Sequence, residues 1–230
     1  MRKKTLWKVW EKNYYLISRS LANIDGGIFV DGDTSDTNKP HAYLQLEDFP
    51  DVIYNVDKAK HGFAVTFKIK FDQRDRDYKE PRYIMDTGGH NGGMKGISVY
   101  LVNDNMYFQV IRSTDEDIMI WKVRVPIYTI RWQEIVMTWR LDKGLWIYVD
   151  GMFRGHTLSP QPLPKEDLST PKRLTIGRKN SGPEKSGAVF GFSSLAIFGR
   201  YLSRTDSEKV FGNTGKPFFI LNFKKLMKSN

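Results

Sequence analysis

Residues 132–151 read WQEIVMTWRLDKGLWIYVDG, two apolar–polar alternations joined by a turn. Ile135, Met137 and Trp139 share one parity, and Glu134, Val136 and Thr138 share the other. Leu141-Asp142-Lys143-Gly144 turns the chain. Leu145, Ile147 and Val149 then alternate with Trp146, Tyr148 and Asp150. A period of two is the spacing of a strand, because successive side chains point to opposite faces. Asp150-Gly151 suits the positive φ angles of a tight hairpin turn. The segment predicts one antiparallel hairpin feeding a second, and hence an all-β chain.

The same signal recurs along the chain. Phe63, Val65, Phe67, Ile69 and Phe71 alternate with Ala64, Thr66, Lys68, Lys70 and Asp72, a strand with one core face and one wet face. Ile97, Val99 and Leu101 run into the turn Val102–Asn105, and Met106, Phe108 and Val110 return. Met119 to Val125, Met152 to Leu158, Leu174 to Ile176 and Val189 to Phe198 complete the main strands. The stretch 159–171 carries four prolines, which cannot donate to a ladder, and is expected to be irregular. One helix is signalled inside the domain: Thr205-Asp206-Ser207-Glu208 fits a capping box and Gly212 a stop. Leu6, Trp10, Tyr14, Ile17 and Leu21 fall at helical spacing. They predict a short helix or a lead segment upstream of the domain, with a basic membrane-surface helix as the competing reading. The expected division is a lead segment 1–22, a two-sheet antiparallel jelly-roll sandwich over 23–212, and a basic tail or closing strand over 213–230.

Composition removes several functions. The chain of 230 residues has no cysteine, which excludes disulfides, thiolate zinc sites and cysteine nucleophiles. It has no Asn-x-Ser/Thr sequon and no apolar stretch of ~18 residues that would span a membrane. The basic start lacks the continuous apolar core of a signal peptide. His41, His61, His90 and His156 show no metal-ligand spacing, and Gly-x-Ser-x-Gly does not occur. A net charge of +10 draws anions, and acidic glycans, nucleic acid and anionic membranes all answer to it. No nucleic-acid-binding motif accompanies that charge.

In the order GFAVTFKIKF (62–71), GISVYLV (96–102), WQEIVMTWRLDKGLWIYVDGMFRG (132–155) and LTIGRKNSGPEKSGAVFGFSSLAIFGRYLS (174–203), the chain resembles the laminin G-like and pentraxin-like domains of the concanavalin A-like lectin/glucanase superfamily. The resemblance covers roughly residues 23–212. It implies a jelly roll with one short C-terminal helix, binding of glycans, proteins or lipids, frequent calcium, and an extracellular setting. Two family signatures are missing. Glu134 and Val136 stand at the His and Cys places of the pentraxin motif, and Lys179-Asn180-Ser181 stands where pentraxins place calcium ligands. The Glu-x-Asp-x-x-Glu strand of the glycosidases is absent too, and Thr114–Asp117 does not reproduce it.

Candidate sites follow from parity and charge. Tyr100, Tyr107, Gln109, Trp146 and Tyr148 sit at the non-core parity of their strands. If those strands are neighbours, they make an aromatic and polar face on which sugar rings can stack. The bland alternative is that both faces are covered. Lys68, Lys70, Arg178 and Lys179 are the candidate polyanion contacts, against a solvated surface as the alternative. Asp31 and Asp33 offer oxygen ligands for calcium, against plain turn residues. The glycine loop 88–96 precedes a strand and lacks a phosphate-cradle ending, so it is a strand connection or a binding loop. The expected function is non-catalytic recognition of a carbohydrate, including acidic or sulfated glycans, or of a protein ligand. A structural module of an adhesion protein is the alternative, and a glycan-cleaving enzyme the least favoured.

Overall fold

A computed structural model describes residues 5–7, 14–18, 23–24, 27–31, 43–71, 79–90, 94–126, 131–164, 171–180, 186–209 and 219–221. The strands are, in chain order, β1 Thr5–Trp7, β2 Tyr14–Ser18, β3 Asn23–Ile24, β4 Gly27–Asp31, β5 Tyr43–Leu46 and β6 Phe63–Phe71. There follow β7 Arg82–Asp86, β8 Gly96–Val102, β9 Asn105–Ser113, β10 Ile118–Pro126, β11 Gln133–Arg140 and β12 Gly144–Val149. The remainder are β13 Met152–Thr157, β14 Gln161–Leu163, β15 Leu174–Ile176, β16 Val189–Phe198 and β17 Phe219–Leu221, with one short helix, α1 Arg204–Lys209.

Two antiparallel sheets result. Sheet A has nine strands in the order β1-β2-β5-β15-β7-β8-β9-β10-β14. Sheet B runs β13-β12-β11-β6-β16-β4-β3, with β17 also paired to β16. Alternation decides what each sheet buries. From β6, Phe63, Val65, Phe67, Ile69 and Phe71 enter the core between the sheets, and from β8 and β9 so do Ile97, Val99, Leu101, Met106, Phe108 and Val110. Trp121 of β10 meets Trp139 of β11 edge to face at 5.2 Å, joining the sheets through their largest side chains.

Turn chemistry sets the hairpins. Asp150 and Gly151 have φ of 52° and 74°, as a tight turn between β12 and β13 requires. Asn103, at φ 50°, turns β8 into β9, and Asn tolerates this region better than most residues.

The chain leaving β16 packs on the outer face of sheet B. Phe198 and Leu202 cover Ala64, Val136 and Tyr148 in a second apolar cluster. The Leu202 amide donates to Thr138 Oγ1 at 2.8 Å, and the Thr138 hydroxyl donates to the Phe63 carbonyl at 3.3 Å. Both sides of this part of sheet B are therefore buried.

Three local expectations change. Among the described residues the helical spacing near the N-terminus gives strands, with Trp10 and Leu21 outside them: β1 and β2 pair antiparallel, and β2 pairs with β5 at the end of sheet A. The run Tyr14-Tyr15-Leu16-Ile17-Ser18 suits a strand, and pairing outweighs a weak helical period. The helix cap lies two residues earlier than Thr205. The Asp206 amide donates to Ser203 Oγ at 3.2 Å and the Ser203 amide to Asp206 Oδ2 at 3.1 Å, a reciprocal box. Ser203→Ala is expected to cost about 0.5–2 kcal/mol in urea unfolding, without moving the sheets. The proline-rich stretch contains β14, with Pro162 opposite Met119 on the outermost strand of sheet A, where a missing donor is tolerated.

Candidate ligand-binding site

The outer face of sheet A carries a row of rings. Core parity in β8 and β9 turns Ser98, Tyr100, Tyr107 and Gln109 away from the sandwich interior. Tyr83 of β7 stands opposite Tyr100, and Tyr100 stands opposite Tyr107. Their rings lie 5.5 Å and 5.3 Å apart, and the second pair is parallel to within 9°. Three strands thus contribute one rung each to a tyrosine ladder. On the next strand, Lys122 Nζ lies 4.9 Å from the centre of the Tyr107 ring and 5.6 Å from that of Tyr100. Tyr83 and Tyr100 are buried, Tyr107 is half-exposed and Lys122 is exposed. The open end of the ladder is therefore one aromatic ring beside one ammonium. Arg124, also exposed, donates to Asn105 Oδ1 at 2.8 Å.

The ladder is tied to a loop. Tyr100 donates to Gln109 Oε1 at 3.2 Å, and Gln109 Nε2 donates to the Gly89 carbonyl at 2.8 Å. Burial holds the Tyr83 phenol well above its ordinary pKa, with the Asp86 carboxylate adding to the effect. Burial raises Tyr100 likewise, with Tyr107 as the lesser cause. Both hydroxyls therefore stay protonated through the physiological range.

Asp86 organises the loop. Its side chain is buried and its two oxygens face different segments. Oδ1 accepts the Gly88 amide at 2.9 Å, and Oδ2 accepts the Asn180 amide at 2.7 Å. His90 Nδ1 lies 2.6 Å from the same Oδ2, with both side chains buried. Asn180 Nδ2 donates to the carbonyls of Thr87 and Pro171 at 3.0 Å each. The His90 ring meets Tyr83 edge-on at 5.7 Å. One carboxylate thus joins the segment after β7 to the segment after β15, beside the ladder.

The expected five-residue face splits. Tyr100, Tyr107 and Gln109 come together on sheet A, whereas Trp146 and Tyr148 lie on β12 of sheet B. Tyr148 is buried under Phe198 and Leu202. Trp146 packs instead on His156 of β13, ring centres 4.4 Å apart. Parity predicted the outward direction correctly, but it carries no information about which sheet a strand joins.

The four basic candidates split as well. Lys68 and Lys70 are on the outer side of β6 in sheet B, and Lys68 pairs with Glu134 at 2.5 Å. Arg178 follows β15 in sheet A and lies over the Tyr43 ring at 3.8 Å, with Lys179 next to it. Asp31 is the last residue of β4, and Asp33 falls outside the described residues. Among the described residues no group of three or more His, Asp or Glu side chains could hold a metal ion.

Sequence reasoning missed Tyr83, Lys122 and Asp86, and it met His90 only as a histidine without metal-ligand spacing inside the glycine loop 88–96. Lys122 was within reach, because Lys122 and Arg124 alternate with Trp121, Val123 and Val125 and so face outward. Asp86 gave no signal, since its partner Asn180 is 94 residues away.

A laminin G family model, described as the concanavalin A-like lectin/glucanases superfamily, matches residues 28–206. A search of curated proteins gives no match. Among solved structures, the binding domain of botulinum neurotoxin serotype D/C is similar at TM-score 0.62 and 12% identity, over 87% of this chain and 47% of that one. The binding domain of botulinum neurotoxin DC in complex with rat synaptotagmin II gives 0.61 and 14%, over 88% and 47%. The same domain in complex with SialylT gives 0.59 and 12%, over 88% and 47%. The chain spans about half the length of these structures, and at such identities the likeness is one of fold.

Proposed function

Since this chain belongs to the concanavalin A-like lectin/glucanases superfamily, we propose that it is a non-catalytic recognition domain for acidic carbohydrate, binding on the tyrosine ladder of sheet A. The observation that carries this reading is the open rung, where Tyr107 offers a ring and Lys122 an ammonium 4.9 Å from its centre. A pyranose places its C–H face on a ring and its hydroxyls toward polar neighbours. A carboxylate or sulfate on that sugar is drawn to Lys122 and to Arg124, which stands opposite Tyr107 in the β9–β10 register. The overall charge of +10 adds a long-range attraction.

The two ligands seen on structural neighbours, rat synaptotagmin II and SialylT, keep both protein and glycan in view for this fold. The ring-plus-ammonium pair favours the glycan. An extracellular, adhesion-type setting accompanies the proposal, as it does for laminin G-like domains.

Binding to immobilised sialylated and sulfated glycans tests it. Tyr107→Ala and Lys122→Gln are each expected to weaken retention roughly three- to tenfold. Rising salt should weaken the parent strongly and Lys122→Gln less. Equal retention of neutral and acidic glycans by parent and variants would overturn the assignment.

A further inference from the structure

Among the described residues, the large hydrophobic side chains that stand exposed are Leu141 (53%), Met152 (51%), Phe153 (43%) and Leu158 (57%). Met152 and Phe153 belong to β13 and Leu158 follows its last residue, while Leu141 lies in the turn between β11 and β12. A concentration of this kind marks an interaction surface. It lies on sheet B, apart from the tyrosine ladder, and the inference below does not rest on the glycan reading.

The shape of the surface limits what can cover it. β13 is an outermost strand of sheet B. Met152 pairs with Val149 on the core side, whereas Phe153 pairs with Tyr148 on the outer side. Both faces of the strand therefore carry exposed apolar groups, and the strand forms a ridge rather than a groove. Behind it, Trp146 lies 4.4 Å from His156 and 5.4 Å from Phe153 between ring centres. The Trp146 indole N–H donates to the Lys143 carbonyl at 2.7 Å, which fixes the ring.

Occupants differ in what they require. An added strand needs a regular ladder, but the pairing of β12 with β13 slips between Ile147 and Tyr148. The residue left unpaired is Arg154, a bulge and a cation that both discourage edge-to-edge pairing. A second copy docked along the same edge would bring a second bulge and a second Arg154 into the contact. A lipid bilayer requires neither a groove nor a ladder. It accepts aliphatic and aromatic tips flanked by cations.

The charges fit an anionic bilayer. Asp142 is held by Arg140, with Nε and Oδ1 2.5 Å apart, and Asp150 Oδ1 accepts the Glu134 amide at 2.8 Å. Arg154 forms no ion pair among the described residues and is exposed, as is Lys143. We infer that the β13 ridge docks on anionic lipid surfaces, with Met152, Phe153 and Leu158 entering the interfacial layer and Lys143 and Arg154 meeting headgroup phosphates and carboxylates.

Co-sedimentation of the full chain with phosphatidylcholine vesicles, with and without about a third phosphatidylserine, tests this inference. Binding is expected with phosphatidylserine and weak without it, and should fall as salt rises. Phe153→Ser and Leu158→Ser should each lower binding roughly tenfold, with retention on acidic glycans kept. Two results would overturn it: variants that bind vesicles like the parent, or a parent that ignores vesicles but self-associates through a contact that Phe153→Ser dissolves.

Discussion

Asp86→Ala is expected to lower the free energy of unfolding by about 3–5 kcal/mol, the cost of breaking a buried charged contact from one side. Four groups depend on this carboxylate or its neighbourhood. The amides of Gly88 and Asn180 lose their acceptor, His90 Nδ1 loses the oxygen 2.6 Å from it, and the Asn180 side chain loses the segment that placed it. Unmet buried donors are costly because the low-polarity surroundings offer no substitute. The effect should reach the ladder. Gly89, whose carbonyl holds Gln109 and through it Tyr100, follows directly after one of those freed amides. Urea unfolding measures the stability and glycan retention measures the ladder. A loss below about 1 kcal/mol would mean that the two segments find other partners and that Asp86 is not their joint.

Trp139→Ala should cost about 3–5 kcal/mol, through lost burial and a cavity that rigid sheets cannot close. Trp139 stacks on Phe63 within sheet B at 5.5 Å and meets Trp121 of sheet A at 5.2 Å. The same truncation at Trp146, opposite Thr138 on the other strand of this hairpin, makes the contrast. Trp146 is half-exposed on the outer face of β12, next to the edge strand of sheet B, and Trp146→Ala should have a much smaller effect. Calorimetry on the two variants distinguishes them, and equal losses would contradict the placement of Trp139 between the sheets.

The strands were legible because period two is a direct consequence of pleating. β6, β8, β9, β11, β12 and β16 lie where alternation puts them, and Asp150-Gly151 makes the turn that its φ preferences favour. What alternation cannot express is partnership. Trp146 and Tyr107 have the same outward parity, yet one joins β13 in sheet B and the other β8 and β10 in sheet A. The Asp86–Asn180 joint was hidden for a related reason: nothing local in Tyr83–Gly88 reveals a partner 94 positions later. The N-terminal strands were misread because five apolar residues at helical spacing outweighed the β-prone run at 14–18, whose partner β5 is a distant segment.

The pairing of β6 with β16 bears on the order in which the molecule assembles. Phe71 lies opposite Phe190, and Ala64 opposite Phe198, so the middle of sheet B joins segments synthesised over a hundred residues apart. Such closures are slow, because loop entropy is lost before any contact compensates. The β8–β9–β10 meander needs only short turns and can form as soon as it leaves the ribosome. Tyr100 and Tyr107 can thus be side by side early, while the Asp86 joint waits for Asn180 to emerge.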